Sequence, residues 1–336
     1  MVHLTLKRLE EIQKSFTGKR IAVVGDLMLD RYFWGRVSRI SPEAPVPVVE
    51  VEEESTRLGG AANVANNIAS LGGVPIMIGI VGQDAGAESL RKLVAEKGFP
   101  IDGIVTDESR PTTMKTRVIA HNQHIVRIDH EEKTDLNDDV QTRVIANFEK
   151  QIESLDGIIL EDYNKGVLTK GLIESIIRQA KEHKKTITVD PKFNNFFEYK
   201  GVSVFKPNRK ETEEALGRRL NGFQDAEEAA RELISRLHAD NVLLTLGEKG
   251  MLLLEQNGAL AQVETKARHV ADVSGAGDTV IATLTMAMVA GASIGESAAI
   301  ANYAGGIVCG EVGIVPIDKN VLLQTIIKDM NNGGKR

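Results

Sequence analysis

Asp278 follows Asp272-Val273-Ser274-Gly275-Ala276-Gly277 and precedes an apolar run, Thr279 to Gly291. A helix apolar on nearly every face keeps no stripe for water and is buried. Its N-terminus then projects from the core into the polar turn. Gly275 and Gly277 lack a Cβ and Ala276 carries only a methyl, so their peptide N–H groups can converge. Convergent N–H groups at a helix N-terminus, backed by the helix dipole, hold an anion. A carboxylate at the rim of a phosphate-sized anion hole is placed to deprotonate a hydroxyl that attacks a phosphoryl group. The plainer reading makes Asp278 an N-cap and the glycines a turn. From this stretch alone the two stand level.

Further polar groups recur where strands should end. Asp26 follows the strand Arg20 to Gly25 and Asp30 comes four residues later; carboxylates there can accept sugar hydroxyls, or simply form a turn. Gly59-Gly60 opens a helix and lets a ligand approach the backbone, with Asn63 one turn in. Asn208 and Glu211 share a face at a helix start. An amide and a carboxylate so placed suit water-mediated Mg²⁺ binding, and equally a capping box. Thr245-Leu246-Gly247-Glu248-Lys249-Gly250 reads either as a nucleotide-phosphate loop or as a hairpin turn.

The elements that position these groups alternate. Leu6 to Phe16 has helical spacing, 74–82 is strand, 87–98 helix and 102–107 strand. Helix over 139–155, strand over 157–160, helix over 170–181 and strand over 186–189 continue the rhythm. Strands over 202–205, 241–246 and 251–255 complete it, with a helix after 211. This is the βαβ pattern of a parallel sheet. Residues 31–51 and 111–129 break it. Three prolines, three arginines and alternating valines in the first segment point to a small exposed sheet, a lid over the main body. The second segment supplies its other half, with Asn122-Gln123 as a hairpin turn; an edge hairpin of the main sheet is the alternative.

Composition narrows the function. The chain has 42% apolar and 26% charged residues, an ordinary globular balance. A formal charge of −6 argues against nucleic-acid binding by phosphate neutralisation. Cys309 is the single cysteine, so no internal disulfide forms, and a cytoplasmic location is expected. The N-terminal residues lack a secretory apolar core, and no apolar run is long enough to span a bilayer.

Taken in order, Gly59-Gly60-Ala61-Ala62-Asn63, the N-x-x-E of Asn208 to Glu211, the T-x-G-x-x-G of Thr245 to Gly250 and the G-A-G-D of Gly275 to Asp278 resemble the ribokinase (pfkB) family of sugar kinases over about residues 20–318. Within it, the stretches 25–49, 58–67, 162–166 and 121–131 are most similar to members that phosphorylate D-glycero-β-D-manno-heptose 7-phosphate for the lipopolysaccharide core. The resemblance implies ATP and Mg²⁺ as cofactors and transfer to the anomeric hydroxyl, giving a 1,7-bisphosphate. It implies an α/β fold: a three-layer α/β/α sandwich with a mostly parallel central sheet, a β-sheet lid, and a homodimer through that lid. By the same likeness Asp278 is the base, and Gly275, Ala276 and Gly277 form the anion hole. Asn208, Arg209, Lys210, Glu211, Thr245, Gly247 and Gly250 serve ATP and the metal, and Asn302 lies near adenine. Asp26, Asp30, Gly59, Gly60 and Asn63 serve the sugar.

A sugar 7-phosphate brings negative charge to a site already rich in aspartate, so a cation must meet it. Arg117 and Arg127 are the expected phosphate readers, with Lys165 or the 31–39 arginines as fallback. Ser274 stands where the family often has threonine, which keeps the hydroxyl. The H-x-G-H motif of the adenylyltransferase domain found in bifunctional relatives does not occur, so a single kinase domain over 1–336 is expected. Two other readings remain: a kinase for a ketohexose phosphate, and a non-catalytic sugar- or nucleotide-binding regulator.

Overall fold

A computed structural model describes residues 4–121, 123–266 and 270–333. Thirteen strands are described: β1 (Arg20–Gly25), β2 (Leu27–Ile40), β3 (Pro47–Gly60), β4 (Val74–Val81), β5 (Ile104–Thr106), β6 (Thr113–Ala120), β7 (Gln123–His130), β8 (Gly157–Glu161), β9 (Thr186–Asp190), β10 (Val204–Phe205), β11 (Asn241–Thr245), β12 (Met251–Glu255) and β13 (Leu260–Val263). Ten α-helices are described: α1 (Leu6–Lys14) before the first strand, α2 (Ala61–Ser70), α3 (Ala85–Glu96), α4 (Asp138–Glu149), α5 (Lys170–Glu182), α6 (Arg209–Leu216) and α7 (Phe223–Leu237) between strands, and α8 (Ala276–Val289), α9 (Ile294–Val308) and α10 (Lys319–Gly333) after the last.

Nine strands form one sheet in the order β13-β12-β11-β10-β9-β8-β1-β4-β5. From β11 to β5 every neighbour is parallel; β12 and β13 are antiparallel. Parallel strands covered on both faces read as continuous apolar runs, as in Ile21 to Val24 and Ile158 to Leu160. Their side chains still alternate between the two layers. Ile21 and Val23 join the core under α1, α2, α3, α8, α9 and α10, while Ala22 and Val24 join the core under α4, α5 and α7. Each fully buried aliphatic side chain contributes about 1.5–3 kcal/mol, so two cores of this size fix the sheet firmly.

The chain leaves β1 towards β4 and β5 on one side, and later returns to build β8, β9 and β10 on the other. The order reverses between β1 and β8. Beyond the carboxyl ends of those two strands lies the crevice where open α/β sheets take ligands.

A separate four-stranded sheet, β3-β2-β6-β7, grows directly from the end of β1. Its strands begin at Leu27 and run back to Gly60, further than the expected 31–51, because β2 and β3 stay paired down to Leu27 opposite Gly60. β2 and β6 are parallel and β6 and β7 antiparallel. The second half of this sheet is therefore the segment the sequence pointed to. Gln123 is the first residue of β7, and Asn122 lies outside the described residues. β7 is exposed along its whole length.

Smaller departures have local causes. The helix expected over 139–155 ends at Glu149, and a 3-10 turn over Ile152–Ser154 completes the segment. Thr245 to Gly250 joins antiparallel β11 and β12, so its hairpin geometry is present. No helix among the described residues is long and apolar enough to cross a membrane.

Candidate active site

α8 begins three residues before the expected Thr279, so that Ala276, Gly277 and Asp278 form its first turn, and it ends at Val289; it is buried from Asp278 through Ala287. Gly275 is its N-cap at φ +76°, a left-handed conformation that suits glycine. A Cβ there would fall 3.1 Å from the Asn63 amide nitrogen. In the first turn the Ala276 amide donates to the Val273 carbonyl at 3.3 Å and the Thr279 amide to the Gly275 carbonyl at 3.0 Å, while the amides of Gly277 and Asp278 have no acceptor within the helix and can face an anion.

Asp278 is buried, and each of its oxygens takes one neutral donor. Asn63 Nδ2 donates to Oδ2 at 2.7 Å and the Tyr163 hydroxyl donates to Oδ1 at 2.7 Å. Burial pushes the carboxyl up to about 6; the two donors pull it down and Asp190 adds to the rise. A carboxyl held there is ionised at neutral pH and remains basic enough to take a proton.

Around it stand residues from the ends of β8, β9 and β10. Lys206 Nζ lies 2.7 Å from Asp190 Oδ2. Lys192 is ion-paired with Glu211 and lies 3.8 Å from Asp190 Oδ1. Burial pulls the Lys192 ammonium down, but Asp190 and Glu211 outweigh it and leave it raised. One oxygen each of Glu161, Asp190 and Asp278 lie within 4.8 Å of one another. Neither Glu161 oxygen has a hydrogen-bond partner among the described residues. Burial, with Asp190 and Asp278, holds that carboxyl well above the usual range.

A cavity of about 940 Å³ opens in front of this group. Gly275, Ala276, Gly277 and Asp278 line one end. Asn208, Arg209, Lys210, Thr245, Gly247, Gly250 and Asn302 line the rest, so the cavity collects the expected nucleotide residues. Glu211 does not line it. Its Oε2 accepts the Asn208 N–H at 2.8 Å while Asn208 Oδ1 accepts the Glu211 N–H at 2.9 Å, a complete capping box. Asn302 Nδ2 donates to the Glu264 carbonyl at 2.6 Å.

The expected sugar residues Asp26, Asp30, Gly59, Gly60 and Asn63 do not line that cavity, and of them Asn63 touches Asp278. Gly59 and Gly60 close β3 against β2, and a Cβ on Gly59 would fall 2.1 Å from Asp30 Oδ2. Asp30 is buried and ion-paired with Arg117, whose side chain is 14% exposed and lies over the Tyr32 ring. Arg127, opposite Arg117 on the edge strand β7, is 57% exposed and pairs with Asp129 at 2.9 Å. Lys165 pairs with Glu131 at 2.7 Å. Asp26 is buried, and its oxygens accept the amides of Tyr163, Lys165 and Val167 at 2.7, 3.1 and 3.3 Å.

Tyr163, Glu161, Asp190, Lys192 and Lys206 carried no assigned role in the sequence. The available signal was their place at the C-terminal ends of three successive strands, which become neighbours only once the sheet order is known.

The profile of the pfkB family carbohydrate kinases matches residues 19–319. This chain belongs to the pfkB family. It is an ATP-dependent carbohydrate kinase with the ribokinase-like fold. It is 43% identical to the bifunctional protein HldE of Helicobacter pylori strain ATCC 700392 / 26695 over 295 residues, 88% of this chain and 64% of that protein. It is 40% identical to the bifunctional protein HldE of Citrifermentans bemidjiense over 329 residues, 98% of this chain and 67% of that one. The chain thus spans about two thirds of the length of these relatives. Among solved structures it superimposes on Escherichia coli phosphofructokinase-2 in complex with potassium, with a TM-score of 0.74 at 21% identity, covering 94% of this chain and 99% of that one. Arabidopsis thaliana ribokinase complexed with ribose and ATP gives 0.72 at 20% identity, covering 92% and 99%. At these identities the structural likeness speaks for the fold.

Proposed function

We propose that this pfkB kinase transfers the γ-phosphoryl group of ATP to the anomeric hydroxyl of D-glycero-β-D-manno-heptose 7-phosphate, giving the 1,7-bisphosphate. The observation that carries the reaction type is Asp278: a buried carboxylate, oriented on both oxygens, at the junction between the nucleotide cavity and the sugar-side residues. Asp278 takes the hydroxyl proton, the hydroxyl oxygen bonds to the γ-phosphorus, and the bond to the bridging oxygen breaks to release ADP. The choice of sugar rests on the resemblance of the 25–49, 58–67 and 162–166 stretches and on the HldE relatives.

A divalent cation fits the residues present. Mg²⁺ takes hard oxygen donors, and Glu161 offers two unpartnered carboxylate oxygens beside Asp190. Glu161, with Asp190 beside it, would hold the cation: the polar atoms of Asn208 and Glu211 serve the capping box and Lys192, and Asp190 is shared with Lys206, but the Glu161 oxygens have no partner among the described residues. When bound, the cation neutralises charge on the transferred phosphoryl group. Arg117 is the cation we assign to the far phosphate of the sugar, since it faces inward against Asp30. We also assign the small sheet to a homodimer contact, because Val51, Val126 and Ile128 stand exposed on it. Sedimentation of the purified protein as a monomer would remove that assignment.

The test is ADP release from ATP with a panel of phosphorylated and free sugars, followed by mass analysis of the product. Heptose 7-phosphate should give the fastest turnover and gain one phosphoryl group. Faster turnover on a ketohexose phosphate would move the assignment to that substrate. Binding without turnover on any sugar would favour a regulator.

A further inference from the structure

The base is held from two directions that differ in kind. Asn63 comes from α2, a helix packed against α8, and its position follows from regular structure. Tyr163 comes from the irregular segment after β8, where Asn164 has φ +53° and Gly166 φ +81°. A donor on such a segment keeps its aim only if the segment is pinned.

Asp26 does the pinning. It sits directly after β1, the strand next to β8, and is buried. Its two oxygens accept three alternate backbone amides of the segment, those of Tyr163, Lys165 and Val167. Asp162 adds a second set of ties: it accepts the Asn164 amide at 2.7 Å and the Tyr199 hydroxyl at 2.7 Å. A carboxylate that accepts several amides fixes the backbone path between them. Asp26 thereby aims Tyr163 without touching Asp278.

We propose that Tyr163 is a positioning residue for Asp278, and that Asp26 acts on the base through Tyr163. The proposal rests on the reading of Asp278 as the base. The Tyr163 hydroxyl has one proton to give, and it gives it to Asp278 Oδ1. It also lines the nucleotide cavity, so it borders both the base and the phosphoryl donor. Asn63 satisfies the other oxygen. With both oxygens held, the carboxylate cannot turn away from the hydroxyl it serves. Placement errors of this kind cost rate and leave ground-state binding alone. The plainer alternative is that the tyrosine is only a packed ring whose hydroxyl found the nearest acceptor.

Tyr163→Phe keeps the ring and removes the donor. It should melt as the parent does, lower kcat by about 10- to 100-fold, and leave KM for ATP and for the sugar phosphate within about threefold. In an Asp278→Asn background, with no base left to position, the same change should cost nothing further. Asp26→Asn should lower kcat too, and its loss should not multiply with that of Tyr163→Phe. Should Asp26→Asn not fold, the Tyr163→Phe and Asp278→Asn pair decides alone. A Tyr163→Phe enzyme with parental kcat, beside an inactive Asp278→Asn enzyme, overturns the positioning role and leaves the base standing. A near-fully active Asp278→Asn enzyme overturns the base itself, and this proposal with it. A further loss from Tyr163→Phe in the Asp278→Asn background would also overturn it, since the tyrosine would then act elsewhere.

Discussion

Lys206 and Asp190 form a buried pair in the lining of the 940 Å³ cavity, 2.7 Å apart, with 2% of the Lys206 side chain exposed. The pair faces the first turn of α8. A Cβ built on Gly277 would fall 3.4 Å from Asp190 Oδ2 and 3.8 Å from Lys206 Nζ, ordinary contact distances. Gly277→Ala is therefore sterically tolerated, and in the first turn of α8 alanine costs the helix nothing. We expect a variant that melts no lower than the parent. If the amides around Gly277 cradle phosphate, the added methyl still stands in the cradle, and KM for ATP should rise at least about tenfold. Parental ATP kinetics would show that the phosphates lie elsewhere.

Asp278→Asn keeps the side-chain shape and removes the proton acceptor. Loss of a general base costs about 10²–10⁴ in rate, and ATP affinity should hardly change. The parent enzyme gives a second check through pH. Asp278 must be ionised to act, and burial has raised it to about 6. Activity should be full above about pH 7 and fall about tenfold per unit below 6. An acid limb near 4, where exposed carboxylates titrate, would place the base at another residue.

Arg117 and Arg127 are directly opposite in β6 and β7 and share a face of the small sheet, but Arg117 is 14% exposed against Asp30 while Arg127, on the edge strand, is 57% exposed. Arg117→Ala removes a charge-assisted grip worth roughly 1.5–3 kcal/mol and should raise KM for the sugar phosphate about 10- to 100-fold with KM for ATP unchanged. Arg127→Ala should be close to silent. The variant also strands the Asp30 carboxylate, so a free sugar is the control. Equal losses on phosphorylated and free sugars would mean that Arg117 serves Asp30 and reads no phosphate.

Glu161→Gln and Glu211→Gln separate the two candidate metal positions. Glutamine at 211 still closes a capping box, so the helix start should survive. If Glu161 and Asp190 hold the cation, Glu161→Gln should shift the Mg²⁺ dependence of turnover upward by about tenfold or more, with the shift from Glu211→Gln much smaller. The reverse order in a Mg²⁺ titration would return the site to Asn208 and Glu211.

The frame of this protein was legible because its signals are local. Val23 and Val24 announce a strand buried on both faces, and the unbroken apolar run after Asp278 announces a buried helix. The small sheet was legible from its prolines and alternating valines. What the sequence withheld was long-range. Asn63, Tyr163 and Asp278 look unrelated until α2, the β8 segment and α8 are packed together. The position of Asp26 suggests a ligand for sugar hydroxyls, and nothing in the residue types shows that it also accepts three backbone amides. Which acceptor meets which amide depends on the path of the 162–167 segment, and residue types alone do not fix that path.

The contacts of Asp278 also set an order of events in the life of the chain. Its two donors lie 215 and 115 residues earlier in the sequence. Closing loops of that length is unfavourable until the surrounding layers already hold the ends together. During synthesis, β1, the small sheet, β8 and its pinned segment have all left the ribosome while the proposed base is still unmade. One face of the sheet then still awaits α8, α9 and α10. A ribosome-bound fragment that stops short of α8 would thus lack both the Asp278 carboxylate and the core on that face, and should carry none of the activity.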